Sequence, residues 1–303
     1  MSKMNNLKFL LDPMRIPFLI LTPACVLLGL ATAIWTTGDI NWFHFALVVI
    51  GALSAHISVN VFNEYFDFRS GLDNNTNRTP FSGGSGRLPQ SPEMENSVLK
   101  MAWIFFGLTG LIGLYFVLRI GPALIPLGII GLIVIYFYTE WITRYPLICL
   151  IAPGLGFGPL MVMGTDFVLS GGYSITALIA SLVPFFLVSN LLLLNQFPDA
   201  EADQSIGRRH YPITVGKERS SLIYISFLIL PFIMIVLGIL GGYLPISSLI
   251  GLLSLVLVIP IIRGVLNNIE SFEGLIPVLG QNVIINLVTP VLVAVGIMIG
   301  WPG

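Results

Sequence analysis

The chain has 303 residues, of which 55% are hydrophobic and only 10% charged, with a formal net charge of -1. Its mean hydropathy is +0.92. Such a composition excludes an ordinary soluble domain, and the balanced charge offers no attraction to nucleic acid. Several windows of about 20 apolar residues are long enough to cross a hydrocarbon core, so the chain reads as an all-α polytopic membrane protein with one domain over 1–303.

Taken in order, the hydropathy predicts nine spans, at 16–36, 43–66, 99–118, 121–140, 147–169, 174–197, 221–241, 246–263 and 276–299. The first is followed by more of the same and reads as a helix that stays, not as a cleaved leader. Prolines and glycines within spans, such as Pro23, Gly29, Pro184 and Pro231, are tolerated in membrane helices. Cys25 and Cys149 fall in different apolar segments and read as buried, inert thiols. The connections alternate in charge. Lys3, Lys8, Arg15, Arg69, Arg78, Arg87, Lys100, Arg144, Arg208, Arg209, Lys217, Arg219 and Arg263, 13 of the 14 Lys and Arg, fall on one side, and Arg119 alone on the other. The positive-inside rule makes that side cytoplasmic, with the N-terminus inside and the C-terminus outside. In a prokaryote the membrane would be the cell membrane. Two connections are long, 67–98 and 198–220, and both are cytoplasmic.

The ends of spans two and six carry a repeated pattern: Asn63-x-x-x-Asp67 continuing to Asp73, and Asn195-x-x-x-Asp199 continuing to Asp203. A spacing of four puts Asn63 and Asp67 on one helix face, about 6 Å apart along the axis. Pro198 is expected to loosen the second copy. Four crossings separate the two copies, so parity alone brings both out on the same side. Carboxylates gathered at membrane-segment ends point to function. Hard oxygen donors without local Cys or His suit Mg²⁺, which takes one or two carboxylates directly and completes its shell with water and substrate phosphate. Two opposed clusters would clamp a diphosphate through metal, with Asp67 and Asp199 central to the chemistry.

Other residues have two readings each. Glu64 points off the Asn63/Asp67 face and is either a supporting residue behind the ligands or solvated. Arg78, Arg208, Arg209 and Lys217 either contact diphosphate or serve topology. Ser82-Gly83-Gly84-Ser85-Gly86 lacks the ending of a P-loop and reads as a lid or flexible loop before an anion nest. His56 reads as a packed histidine. Tyr136, Phe137, Tyr138, Trp141 and Tyr145 form either an interfacial belt or, at Tyr138, a π face for a carbocation. A cation transporter is the competing class, but its site is expected near the bilayer midplane, not at span ends.

Together the paired motifs and the span count resemble the UbiA superfamily of intramembrane prenyltransferases, which has nine helices with Asp-rich motifs after helices two and six. The first motif, with Gly-Leu-Gly at 154–156 and Gly-Pro-Leu-Met-Val-Met-Gly at 158–164, looks most like the branch containing the 1,4-dihydroxy-2-naphthoate prenyltransferases of menaquinone synthesis. The chain departs from the usual pattern at Glu64, where Asp is usual, and at Phe157, where that branch commonly has Glu. Both departures bear on the acceptor. The resemblance implies Mg²⁺ ions held by Asn63, Asp67, Asp73, Asn195, Asp199 and Asp203, a polyprenyl diphosphate donor, and an aromatic acceptor within membrane lipid. A tetrapyrrole, another aromatic or a glycerol-phosphate lipid are the alternative acceptors.

Overall fold

A computed structural model describes residues 11–74, 76 and 78–302. Lys3 and Lys8, counted above on the motif side, lie outside the described residues. The described residues contain helices and turns and no strand.

The chain begins with α1 (Asp12–Thr37), whose first turns are tight 3₁₀ turns because Pro13 and Pro17 stand at their openings. Between them Arg15 takes a left-handed conformation, φ 52°, the one non-glycine residue with positive φ among those described. After Gly38 turns the chain, Asn41 caps α2 (Trp42–Arg69) by accepting from the His44 N–H. Next come α3 (Pro92–Arg119), the shorter α4 (Pro122–Phe137), α5 (Pro146–Ser170) and α6 (Ile175–Ser205). The last three are α7 (Lys217–Leu240), α8 (Ile246–Asn267) and α9 (Phe272–Gly300). Eight of these helices are long and apolar enough to cross a membrane, which makes this a multi-pass membrane protein. The predicted span 121–140 is the exception: α4 stops at Phe137, and 138–140 form a turn.

Two boundaries differ from the sequence expectation. The first long connection is confined to 70–91, because α2 stays helical to Arg69 and α3 already begins at Pro92. The second shrinks to 206–216, because α6 runs unbroken through Pro198 to Ser205. Tertiary packing overrides the proline here, since α6 is the most buried helix and its neighbours hold it from several sides. At 31 and 28 residues, α6 and α2 extend about 46 and 42 Å, more than the roughly 30 Å of a hydrocarbon core. Their C-terminal ends, which carry the motifs, are long enough to reach beyond it.

Sequential helices pack as neighbours, α2 on α3, α6 on α7 and α8 on α9, and α1 returns to α9. The main core joins Leu28 of α1, Leu187, Leu194 and Phe197 of α6, Tyr224 of α7 and Ile285 of α9. Leu118, Leu240, Ile246 and Val256 face outward, as a lipid-facing surface requires. Lipid removes the hydrophobic drive between helices, so close contact and small residues must supply it. Gly154 and Gly158 do this between α5 and α6. A Cβ at Gly154 would lie 2.1 Å from the Phe185 carbonyl oxygen, and one at Gly158 2.5 Å from that of Ser181. The Gly-rich stretch that carried a family resemblance is thus a helix-packing seam. Replacing Gly154 with Ala is expected to force α5 and α6 apart and to cost about 1–3 kcal/mol. A lowered melting temperature in detergent would register it.

Candidate functional site

The C-terminal ends of α2 and α6 meet. Asn63, Asp67 and Asp73 line one wall of a polar cavity of about 110 Å³, and Asn195, Asp199 and Asp203 line the other. The i, i+4 spacing survives in both helices, so each motif presents one face. Asp73 joins from beyond α2, after Gly71 (φ 78°) has turned the chain.

Arg208 ties the two walls together. Its guanidinium pairs with Asp67 on one side and, at 2.7 Å, with Asp203 on the other. His210 holds the second oxygen of Asp203 at 2.9 Å. Burial alone would lower the pKa of Arg208, but Asp67 and Asp203 outweigh it and hold the guanidinium above its usual value. The opposite happens at Asp73, where burial, then the carboxylates of Glu64 and Asp67, push the pKa up to about 7.

Several oxygens here lack partners among the described residues: Asp73 Oδ2, Asn195 Oδ1 and Asp199 Oδ1 are buried and unbonded. Asn195 spends its Nδ2 on the Phe81 carbonyl at 3.4 Å, and Asn63 spends its own on Thr139 Oγ1 at 3.2 Å. Both amide oxygens are left for the cavity. Unbonded oxygens and a carboxylate with a raised pKa fit a hard cation. Among the described residues no three His, Cys, Asp or Glu converge into a ready metal cage. A donor set split between two walls suits Mg²⁺, which recruits few carboxylates directly.

The polar cavity adjoins a second one of about 640 Å³ that runs into the bundle. Val48, Ile112, Leu127, Leu160, Met161 and Leu191 are among its apolar lining. Arg15, Asn63, Phe81, Tyr138, Leu192 and Asn195 line both cavities and form the junction. Of the aromatics clustered after α4, Tyr138 alone lines the cavities, because α4 ends just before it. Burial, followed by the neighbouring Cys149, raises its pKa well above the usual value. Tyr136 instead packs edge-on against Phe62, with centroids 5.4 Å apart, and Phe137, Trp141 and Tyr145 are exposed. His56 bonds Thr22 Oγ1 at 2.8 Å and meets Phe157 edge-on in the wall of the larger cavity. Cys25 and Cys149 are free and buried, as the sequence suggested.

Three of the predicted diphosphate contacts are placed outside these linings. Arg78 is exposed and donates to the Asp73 carbonyl at 2.8 Å. Arg209 is exposed and uses its backbone N–H on the Thr143 carbonyl at 2.9 Å. Lys217 pairs with Glu270 at 3.1 Å, tying the start of α7 to the loop before α9. Conversely, sequence reasoning passed over Arg15, Gln196 and His210, all of which line the polar cavity. Arg15 was counted as a topology charge, and only its place on the motif side marked it. His210 lies in the loop after α6, where the turn after Ser205 folds it back onto Asp203.

Residues 22–270 match the UbiA prenyltransferase family, and the chain belongs to it. It is 26% identical over 209 residues to the 1,4-dihydroxy-2-naphthoate octaprenyltransferase of Bacillus subtilis strain 168, a match covering 67% of this chain and 64% of that protein. The match thus spans just under two thirds of that relative. Among solved structures, the apo form of a UbiA homologue from Aeropyrum pernix K1 superposes with a TM-score of 0.70 at 14% identity, covering 93% of this chain and 97% of that one. A UbiA homologue from Archaeoglobus fulgidus, bound to DMAPP and Mg²⁺, gives 0.65 at 13% identity, covering 95% and 99%. At such identities these structures establish a common fold.

Proposed function

We propose that the whole chain, as one unit, is a Mg²⁺-dependent prenyltransferase that moves a polyprenyl group from its diphosphate to an aromatic acceptor in the membrane. The observation that carries this reading is the junction of the two cavities. A prenyl diphosphate is anionic at one end and hydrocarbon at the other, and here a small acidic cavity opens at Asn63, Asn195 and Tyr138 into a large apolar one. The Archaeoglobus homologue's binding of DMAPP and Mg²⁺ supports the same cofactor here.

Asn63, Asp67, Asp73, Asn195, Asp199 and Asp203 would hold the metal, and Arg15 and Arg208 would meet diphosphate oxygens at the cavity edge. Bound Mg²⁺ supplies Lewis-acid neutralisation of the leaving diphosphate. The allylic C–O bond breaks, with its electron pair leaving on the diphosphate. The aromatic ring attacks the resulting allylic cation, a C–C bond forms, and the ring carbon loses its proton. Tyr138, at the junction, would turn its π face to that cation, and the apolar walls would keep water away. The naphthoate relative supports a menaquinone-like acceptor. The clustered cations support a site on the cytoplasmic face, with the N-terminus inside and the C-terminus outside.

Purified protein in lipid, given labelled farnesyl, geranylgeranyl and longer diphosphates with naphthoate, benzoate, tetrapyrrole and glycerol-phosphate acceptors, should yield a labelled aromatic lipid with Mg²⁺ and none with EDTA. A product on another acceptor corrects the acceptor. Absence of any Mg²⁺-dependent binding or turnover rejects the enzyme. Gly84 offers a sharper check, since it has φ +74° and a Cβ there would lie 2.9 Å from Asp73 Oδ1. Gly84→Ala should displace Asp73 and lower kcat/KM by about tenfold to a hundredfold. Unchanged kinetics would remove Asp73 from the metal site.

A further inference from the structure

We propose that Glu64 is a positioning residue: it latches the glycine-rich segment 82–86 as a wall of the polar cavity. The consequence for substrate rests on the reading of that cavity as the diphosphate site. Glu64 follows Asn63 and so points about 100° round α2 from it. It lines neither cavity. Its side chain is nevertheless fully buried, at 0% exposure, on a face where a lone carboxylate would be costly.

One residue offsets that cost twice. The Ser85 N–H donates to Glu64 Oε2 at 2.8 Å, and the Ser85 hydroxyl donates to Oε1. A fork that grips both backbone and side chain fixes the orientation of the segment as well as its distance. The residues just before Ser85 are the ones that reach the site. Ser82, Gly83 and Gly84 line the polar cavity, and Phe81 lines both cavities. Gly83 and Gly84 have φ of +85° and +74°, and Gly84 slots between Asp73 and Glu64, where a Cβ would lie 3.4 Å from Glu64 Oε2. On the far side, the Phe81 carbonyl accepts from Asn195 of the second motif. The segment therefore bridges the two motif helices, and Glu64 is its anchor on the first. The hold continues outward, because Ser85 Oγ accepts from the Arg87 N–H at 3.2 Å and Arg87 pairs with Asp12 at the start of α1.

The test uses the full chain in detergent. Hydrogen–deuterium exchange across 79–90 is measured without metal or substrate, and binding of geranyl diphosphate is measured with Mg²⁺. Glu64→Ala and Ser85→Ala should each speed exchange at 81–86 and weaken geranyl diphosphate binding about tenfold. The double variant should be no worse than Glu64→Ala, since the two residues form one coupled pair. Glu64→Gln, which keeps one acceptor oxygen, should recover part of the loss. Unchanged exchange in both single variants overturns the latch. Faster exchange with unchanged binding overturns the positioning role and leaves only a structural tie. Ser85→Ala keeps Glu64 in place and reports even where Glu64→Ala does not fold. Parent protein that binds no geranyl diphosphate rejects the diphosphate reading, and the exchange arm then decides the latch alone.

Discussion

Asp199→Asn should produce a protein that folds at least as well as its parent and has lost almost all turnover. Asp199 carries a buried oxygen without a partner among the described residues and shares a helix face with Asp203. Removing its charge relieves a desolvated carboxylate with one oxygen unbonded, so the melting temperature of the metal-free protein should hold or rise by a few degrees. The same change deletes one of the few carboxylates able to face a metal-bound diphosphate. Turnover should fall about 10²- to 10³-fold or more, the scale seen when a transition-state charge loses its stabilising group. The stabilisation of the parent by Mg²⁺ with a prenyl diphosphate should shrink in parallel. The decisive comparison is melting temperature against kcat/KM in one preparation. A variant that is both less stable and fully active would place Asp199 in the scaffold and not in the chemistry.

Arg208→Ala should do the reverse in the metal-free state. Arg208 is the cation between Asp67 and Asp203, both buried, and its loss leaves two facing carboxylates with His210 as the remaining partner. Breaking a buried pair from one side costs about 3–5 kcal/mol, because the charge left behind is uncompensated. The melting temperature should drop by several degrees without metal. Mg²⁺ should then restore more stability in the variant than in the parent, since an ion bound only by the folded state stabilises it by mass action. Equal melting curves and equal Mg²⁺ shifts would show that Arg208 does not hold the motifs together. Turnover should fall as well, because the diphosphate loses a guanidinium beside it.

Much of the site could be read from the chain because it depends on short-range geometry. A four-residue spacing defines a helix face wherever the helix lies, and Asn63/Asp67 and Asn195/Asp199 kept theirs. Parity needs only a count of crossings, and the two motifs do share one cavity. Loop cations were less legible. Arg78 follows Asp73 by as many residues as Arg208 follows Asp203, and Arg209 is its neighbour, yet of the four predicted cations only Arg208 reaches the cavity lining. A turn at Gly207 (φ 83°) folds its side chain inward, and nothing in the local pattern distinguishes it. Glu64 shows the same limit, since its partner Ser85 lies 21 residues on.

By itself the sequence determined the membrane class, the approximate places of the apolar helices, the two motif faces and their common side. Hydropathy, helical period and parity are additive along the chain, and none of them requires knowing which helices touch. Only the tertiary structure decided that α6 would continue through Pro198, that α4 would stop short and deliver Tyr138 to the junction, and that Arg15 and residues 82–84 would line the polar cavity. Each of these depends on contacts between residues far apart in the chain, where packing outweighs local preference.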